Sequence, residues 1–154
     1  TMSEGQFGPW IGTPMSDRDI DKLLDQAGYG ILSLAKESEA YAIPVSVGYD
    51  GEDVYLAFLE MDPPHRKSEF AEATERACLN VSDIHGRFDW QNIVVSGPLE
   101  PVESDTEEFD QLLDVMEDNA WFSTTFMRDS SISNVQGYIL DAEEVSGRQK
   151  REES

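Results

Sequence analysis

The sequence contains few basic residues. Its 11 Lys and Arg residues stand against 32 Asp and Glu residues, which gives a formal net charge of -21. A field of that sign repels the phosphate backbone of nucleic acids and the anionic surface of lipid bilayers. We therefore expect neither nucleic acid nor a membrane as a partner.

Cysteine and long apolar runs are also scarce. The one cysteine, Cys78, excludes an internal disulfide, and its apolar strand-like surroundings predict a small buried side chain. No apolar run reaches the length of a membrane span, and residues 1–12 lack the basic start and apolar stretch of a secretory signal. These absences predict a cytoplasmic protein.

The common catalytic and nucleotide-binding motifs are missing. There is no G-x-S-x-G elbow, no P-loop and no G-x-G-x-x-G fingerprint. His65, His85 and Cys78 do not have the spacing of zinc ligands. A hydrolase with a nucleophilic side chain, a P-loop nucleotidase and a metal site are therefore disfavoured.

The chain nevertheless contains enough apolar residues to fold. Its 154 residues, 39% of them hydrophobic, suit one domain with one modest core. High salt would relieve the self-repulsion, since the Debye length shrinks to about 3 Å at 1 M. This favours a protein of a halophile, and an acidic protein of an ordinary cell remains the alternative.

The first half predicts one helix followed by an antiparallel meander. Ser16 and Asp19 stand as a capping pattern before apolar residues at helical spacing, and Gly28 is placed to cap the helix end. Three strands are predicted next, with a tight hairpin turn at Asp50-Gly51. The predicted strands are Gly30–Ala35, Tyr41–Tyr49 and Val54–Leu59.

The second half predicts further strands and two helices. The helix of the capping box Ser104-x-x-Glu107 carries an apolar stripe of Phe109, Leu112, Leu113 and Met116. Gly97-Pro98 predicts a bend within one long strand. The other predicted elements are a short helix over His65–Ala73, strands over Arg76–Val81, Asp89–Val102 and Val135–Leu140, and a charged tail.

These elements predict an α+β protein, mainly antiparallel β, with helices appended to a barrel. We expect a flexible segment over residues 1–15, one domain over 16–148 and the charged tail over 149–154. The weakly periodic segment Asn119–Asn134, which contains Trp121, is long enough to be functional or to be ordered by a partner.

Two features could contact a ligand. The pair Arg66-Lys67 stands directly before Ser68 at a predicted helix start. Two cations, a hydroxyl and the amides of a helix N-terminus could together bind a phosphate group. The alternative is an ordinary pair of charged surface residues. The strand Ala42–Val47 could lie along a flat aromatic ligand, or simply pack on the core.

The order of these motifs resembles the pyridoxamine 5'-phosphate oxidase-like family of flavin-binding split β-barrels, especially its nitroimidazole-resistance-like branch. The resemblance covers residues 24–148. It rests on Ala42-Ile43-Pro44-Val45-Ser46-Val47, the strand Val54–Phe58, His65-Arg66-Lys67, the strand Arg76–Val81, Trp90–Gly97 and the closing segment Tyr138–Arg148.

The resemblance implies a homodimer that binds FMN in a groove at the subunit interface. It places Arg66, Lys67 and Ser68 at the flavin phosphate and Gln91 or Asn92 at a polar contact. Beyond the resemblance, we expect Trp121 of the aromatic segment to cover the flavin of the neighbouring subunit. The remaining implied flavin contacts are Ile43, Pro44, Val45, Ser46, Val47, Ala57 and Phe58.

The implied activity is that of an FMN-dependent oxidoreductase, such as a flavin reductase or nitroreductase-like enzyme acting on a small oxidised organic substrate. The chain lacks the basic substrate-binding C-terminus of the oxidase itself, which disfavours pyridoxamine phosphate oxidation. The alternatives are a flavin-binding or storage module without turnover, and a split barrel that uses a deazaflavin coenzyme or haem.

Overall fold

The computed structural model of the protein describes residues 11–59, 66–117, 119 and 135–151. These residues form nine strands and three helices. In chain order they are β1 (Thr13–Pro14), α1 (Asp17–Gln26), β2 (Tyr29–Lys36), β3 (Glu39–Tyr49), β4 (Val54–Leu59), α2 (Arg66–Ala73), β5 (Ala77–Gly86), β6 (Asp89–Gly97), β7 (Leu99–Val102), α3 (Glu107–Met116), β8 (Val135–Leu140) and β9 (Glu144–Lys150).

All described strands belong to one antiparallel sheet with the order β1-β9-β6-β5-β2-β3-β4-β8-β7. The strands β6 and β7 are separated by a single residue, yet they lie near opposite ends of this order. The sheet must therefore curl for the chain to pass from one to the other. This architecture confirms the predicted α+β class dominated by antiparallel β-structure.

The predicted bend at Gly97-Pro98 is the corner of the curled sheet. Pro98, which cannot donate to a strand ladder, instead accepts a hydrogen bond from the amide of Asp141 at 3.0 Å. A Cβ atom on Gly97 would lie 1.6 Å from the carbonyl oxygen of Asp141. Only glycine fits here, because the two backbone segments approach so closely.

The core fills the inside of the curled sheet. Alternate side chains of each strand point inward, as the two-residue period of a strand requires. Apolar residues of α1 and α2 join this core. Its most deeply buried members include Leu32, Val47, Val54, Leu56, Leu79, Val81, Ile93, Val95 and Leu140.

Helix α3 lies on the outside of the sheet, where it covers β3, β4 and β8. Leu112, Leu113 and Met116 pack there against Tyr55 and Ala57, which confirms the predicted apolar stripe. The approach is close, since a Cβ on Gly48 or on Gly137 would lie 2.7 Å from a side chain of this helix.

Both capped helices differ from prediction at one end. Ser16 caps α1 as expected, because its hydroxyl accepts a hydrogen bond from the amide of Asp19. Gly28 directly follows the C-cap Ala27, so the helix ends where the glycine predicts, but Gly28 lacks the positive φ of a left-handed glycine cap.

The predicted capping box at Ser104 is wrong. Helix α3 begins two residues later, with Thr106 as N-cap, and the hydroxyl of Thr106 accepts from the amide of Phe109 at 3.2 Å. Asp105 has a φ of 64°, so the chain turns sharply between Ser104 and the helix.

Both termini contain more regular structure than the sequence predicts. The strand β1 pairs with β9, and Met15 is buried, although residues 1–15 are predicted as flexible. The strand β9 pairs with β6 and continues to Lys150, within the predicted tail. The positions that pair with buried residues of β6 are Val145, Gly147 and Gln149. They include one apolar side chain, Val145, which is itself 43% exposed, so the apolar signal is too weak to predict this strand.

No helix among the described residues has both the length and the apolarity needed to cross a bilayer.

Candidate functional site

The outer surface of β2, β5, β6 and the part of β3 before Gly48 is covered by none of the described helices, whereas α3 covers β3 from Gly48 onward. We call this surface the open face. Cross-strand pairing places Ser33 beside both Ala42 and Cys78, and Ile31 beside both Pro44 and Asn80. Directly paired residues of antiparallel strands point to the same side of a sheet. The open face comprises Tyr29, Ile31, Ser33, Ala42, Pro44, Ser46, Cys78, Asn80, Ser82, Asn92, Val94 and Ser96.

None of these open-face residues is charged, although charged residues make up 28% of the chain. Charge begins at the adjoining strand β9, where Arg148 pairs with Asn92 and Glu144 pairs with Ser96. The members of the open face are exposed or half-buried, and Ile31 is 38% exposed. In contrast, the exposed side of α1 carries charges of both signs. In so acidic a protein, we would expect a surface that stays in contact with water to carry acidic side chains as well. The open face is therefore suited to a ligand or a second protein surface.

Three polar side chains form a hydrogen-bond network at one end of the open face. Asn92 Oδ1 accepts from Asn80 Nδ2 at 2.6 Å and from Ser82 Oγ at 2.7 Å. Asn80 Nδ2 also donates to the carbonyl of Ile93. Among the described residues none accepts from Asn92 Nδ2, so this amide group is left as a donor toward a ligand.

The side chains of Ile43 to Val47, which are predicted to line a flavin ring, point alternately into the core and onto the open face. The side chains of Ile43, Val45 and Val47 lie in the core, where each is at most 5% exposed. Pro44 and Ser46 lie on the open face. A ligand on this face could contact the side chains of the latter two, but only the backbone of the others.

Two further predicted contacts, Ala57 and Phe58, are enclosed by protein. Ala57 is buried beneath α3. The ring of Phe58 lies in the core and stacks on Tyr138, with the ring centroids 5.6 Å apart. Sequence alternation could not reveal that a helix from later in the chain covers the outer side of β4.

The structure distinguishes Gln91 from Asn92 as the candidate for the predicted polar flavin contact. Gln91 is only 5% exposed, points inward and donates to Gln149 Oε1 at 2.9 Å. Gln149 in turn donates to Asp19 at 3.1 Å, which joins β6, β9 and α1. Asn92 lies on the open face. Of the two, Asn92 is thus placed to contact a ligand.

The predicted phosphate cradle occupies the first turn of α2. The guanidinium of Arg66 pairs with the carboxylate of Glu39 and lies 5.1 Å from the ring centroid of Tyr41. The ammonium of Lys67 lies 5.9 Å from the ring centroid of Phe58. The two cations are thus directed to different rings, and the half-buried Ser68 follows them in the same turn.

Helix α2 is attached to the end of β2 by polar contacts. Thr74 Oγ1 accepts from the amide of Ala35 at 2.9 Å and donates to the carbonyl of the same residue. Lys36 pairs with Glu69, so the pKa of Lys36 is raised and that of Glu69 is lowered, in each case chiefly by their hydrogen bond. These contacts fix the first turn of α2 near the beginning of β3.

The described residues also enclose a cavity of about 480 Å³ between the C-terminal ends of α1 and α3. Its lining includes Asp25, Asp114 and the half-buried Tyr49, but no basic residue. Helix C-termini carry partial negative charge. This cavity therefore does not suit an anionic group such as a phosphate, in contrast to the first turn of α2.

Sequence reasoning missed Asn80, Ser82 and Glu39. The two polar residues alternate with buried apolar residues along β5, and that alternation was a usable signal. Glu39 could not be found, because its importance depends on a helix that begins 27 positions later. Trp121 and most of the aromatic segment 119–134 lie outside the described residues. Asn119 is described, and it donates to the carbonyls of Gly28 and Val47.

Comparison with solved structures supports the fold. An FAD-binding protein from Mesorhizobium loti is 25% identical, with a TM-score of 0.70 over 92% of this chain and 98% of its own. An FAD and heme binding protein from Mycobacterium smegmatis is 15% identical, with a TM-score of 0.65 over 90% of this chain and 75% of its own.

A second FAD binding protein from Mycobacterium smegmatis is 11% identical, with a TM-score of 0.64 over 91% of this chain and 99% of its own. These similarities confirm the predicted split-barrel fold. No curated protein matches the chain.

One family profile matches almost the whole described part of the chain. The profile of the pyridoxamine 5'-phosphate oxidase family matches residues 16–149. The matched region contains the open face and the first turn of α2. On this match, together with the shared fold, the chain belongs to the pyridoxamine 5'-phosphate oxidase family.

Proposed function

We propose that the protein is a flavin-dependent oxidoreductase that binds FMN on the open face, between two copies of the chain. The observation that carries this proposal is the absence of charge from the open face in a chain of net charge -21. The family membership and the similarity to an FAD-binding protein support a flavin as the ligand.

The residues of the open face fit an isoalloxazine ring. Pro44, Ser46 and Ile31 offer a surface of small and apolar groups, against which a flat ring can pack. Asn92 Nδ2 offers a donor for a ring carbonyl. Tyr41 lies next to Ala42 on β3 but points to the opposite side of the sheet, where it pairs with the buried Leu34. A flavin on the open face would therefore reach the guanidinium above the Tyr41 ring by passing around the β2–β3 hairpin.

The first turn of α2 supplies the groups for the flavin phosphate. Arg66 and Lys67 provide positive charge, and helix N-terminal amides attract anions. This single basic pair suits the one phosphate of FMN. The nitroimidazole-resistance-like branch and a halophilic source remain proposals, supported by the motif order and by the acidic composition.

A second copy of the chain is the proposed cover of the open face. Two such surfaces can approach without repulsion, whereas the charged remainder of the two molecules repels. Val94 and Ile31 would lose their contact with water in the dimer. The flavin would then be held between the two subunits.

The bound flavin supplies the hydride or electron transfer itself, and the protein positions it. The described open-face residues include no carboxylate, lysine or histidine that could serve as acid or base. The chain's own groups therefore act by packing, hydrogen bonding and exclusion of water. A small oxidised organic substrate, with electrons from a nicotinamide or deazaflavin coenzyme, is consistent with such a site.

The same lack of acids and bases favours one second candidate, a flavin-binding module without turnover. The two candidates differ in a simple measurement. Bound flavin that is reduced by a nicotinamide and then reoxidised by an added organic acceptor supports the oxidoreductase. Flavin that stays oxidised with every donor supports the binding module.

The proposed location is tested by adding charge to the open face. Ser46→Glu introduces one carboxylate beside Ala57, while the control Gln111→Glu adds the same charge on the exposed side of α3. We expect FMN affinity to fall at least tenfold in the first variant and to change little in the second. Equal affinity of the two variants would contradict the location, and failure of the unmodified protein to bind FMN would contradict the function.

A further inference from the structure

The carboxylate of Glu39 is paired with the guanidinium of Arg66, the group that the proposed function assigns to the flavin phosphate. Arg66 Nη2 donates to Glu39 Oε1, and the side chains of both residues are about 60% exposed. Carboxylates and phosphates use the same planar donor pattern of a guanidinium. A phosphate that binds Arg66 must therefore compete with a carboxylate that already lies there.

The fold holds Glu39 in this position. The residue follows the two-residue turn Glu37-Ser38, both of whose residues have positive φ, as a type I′ hairpin requires. It is the first residue of β3, and its cross-strand neighbour is Lys36. Lys36 pairs with Glu69 of α2 instead, which leaves Glu39 directed to Arg66.

The guanidinium is held from the other side by two aromatic rings. Its central carbon lies 5.1 Å from the centroid of Tyr41 and 5.7 Å from that of Phe70. These rings are in contact with each other, with centroids 5.1 Å apart. Because the rings fix Arg66, a bound phosphate would leave Arg66 in place and displace the carboxylate.

We propose that Glu39 is an internal competitor for the phosphate-binding arginine, which weakens the binding of phosphorylated flavin and leaves the binding of unphosphorylated flavin unchanged. This inference rests on the proposed function. An exposed ion pair is easily displaced, since such pairs contribute little to stability. The competition therefore tunes the affinity and does not block the site.

The alternative role of Glu39 is purely structural. The pairs Glu39–Arg66 and Lys36–Glu69 together connect the β2–β3 hairpin to α2, and losing one pair could disturb the helix. A disturbed helix would weaken the binding of phosphorylated flavin. Competition predicts the opposite sign, so the direction of the change distinguishes the two roles.

The test compares the dissociation constants of FMN and riboflavin, which lacks the phosphate, for the full chain and for Glu39→Gln. We expect Glu39→Gln to bind FMN about three- to fivefold more tightly, the upper part of the range given by an exposed ion pair. Riboflavin affinity should stay within about twofold of the original value. The matched control is Glu37→Gln, which removes one charge from the same turn and leaves the partner of Arg66 in place.

A double-mutant cycle links the effect to Arg66. In the Arg66→Ala background, Glu39→Gln should no longer change FMN affinity. The inference is overturned if Glu39→Gln and Glu37→Gln have equal effects, if riboflavin binding tightens equally, or if the effect persists without Arg66. Failure of the unmodified chain to bind either flavin would instead overturn the proposed function, because riboflavin does not need the phosphate site.

Discussion

Replacing Gly97 with alanine should disrupt the corner that allows the sheet to close. The new Cβ would lie 1.6 Å from Asp141 O and 2.8 Å from the carbonyl carbon, whereas unstrained carbon contacts are about 3.5–4.0 Å. The opposing atoms belong to the backbone, so no side-chain rotation can relieve the clash. The two segments must separate by roughly 2 Å to restore an ordinary contact.

That separation would break the hydrogen bond from Asp141 N to Pro98 O, which is 3.0 Å long. A net hydrogen bond contributes about 1 kcal/mol and overpacking costs about 1–3 kcal/mol, so the free energy of unfolding should fall by about 2–4 kcal/mol. For a chain of this size the corresponding drop in Tm is about 5–15 °C.

The assay is thermal and urea unfolding, followed by circular dichroism at equal protein concentration in high salt. The matched control is Gly86→Ala, because a Cβ on Gly86 meets nothing within 4 Å. We expect the control to stay within about 1 kcal/mol of the unmodified protein. A Gly97→Ala protein as stable as this control would refute the account of the corner.

Three further predictions follow from helix capping, ionisation and net charge. Thr106→Ala should lower the unfolding free energy by about 1 kcal/mol and Ser104→Ala should not, as measured by urea unfolding, because only Thr106 caps α3; equal effects would contradict the assignment. Burial, aided by Asp50, raises the pKa of Tyr55 to about 12. Its stabilising effect is therefore complete below pH ~10 and is lost as pH rises to ~12, by on the order of 2 kcal/mol. Tyr55→Phe should make alkaline unfolding curves less steep but not flat, because burial also raises the pKa of Tyr49 to about 12. Because a charge of -21 repels itself, Tm should rise between ~0.1 M and ~1 M potassium chloride, and a Tm independent of salt would contradict this.

The sequence predicted the elements whose signals are local. Alternation and turn residues located the hairpin of β3 and β4. Its connection is the four-residue loop Asp50–Asp53 and not the predicted tight turn at Asp50-Gly51, and the side chain of Asp50 accepts there from the amides of Glu52 and Asp53. Ser16 was correctly identified as a cap. These features depend on neighbouring residues alone, so a single sequence is sufficient to find them.

The elements that were missed depend on distant partners. The strand β9 carries few apolar residues, and it forms because β6 and β1 pair with its two edges. The start of α3 at Thr106 was set by backbone geometry that residue types alone did not reveal.

The candidate site was only partly predictable. Pro44, Ser46 and Asn92 lie on the open face, and Arg66 and Lys67 share a helix turn. The burial of Ala57 depends on α3, and the pairing of Arg66 depends on Glu39. Both are tertiary contacts, and a linear pattern contains no signal for them. The predicted contacts of Trp121 and the FMN dimer stay predictions.

The central claim is that this chain binds a flavin nucleotide. Its most direct test is a titration of FMN with the purified protein in high salt, followed by visible absorption and flavin fluorescence, with circular dichroism as evidence of folding. We expect a saturable spectral change at one FMN per chain, together with a molar mass of two chains. A folded protein that leaves the spectrum of FMN unchanged would contradict the account.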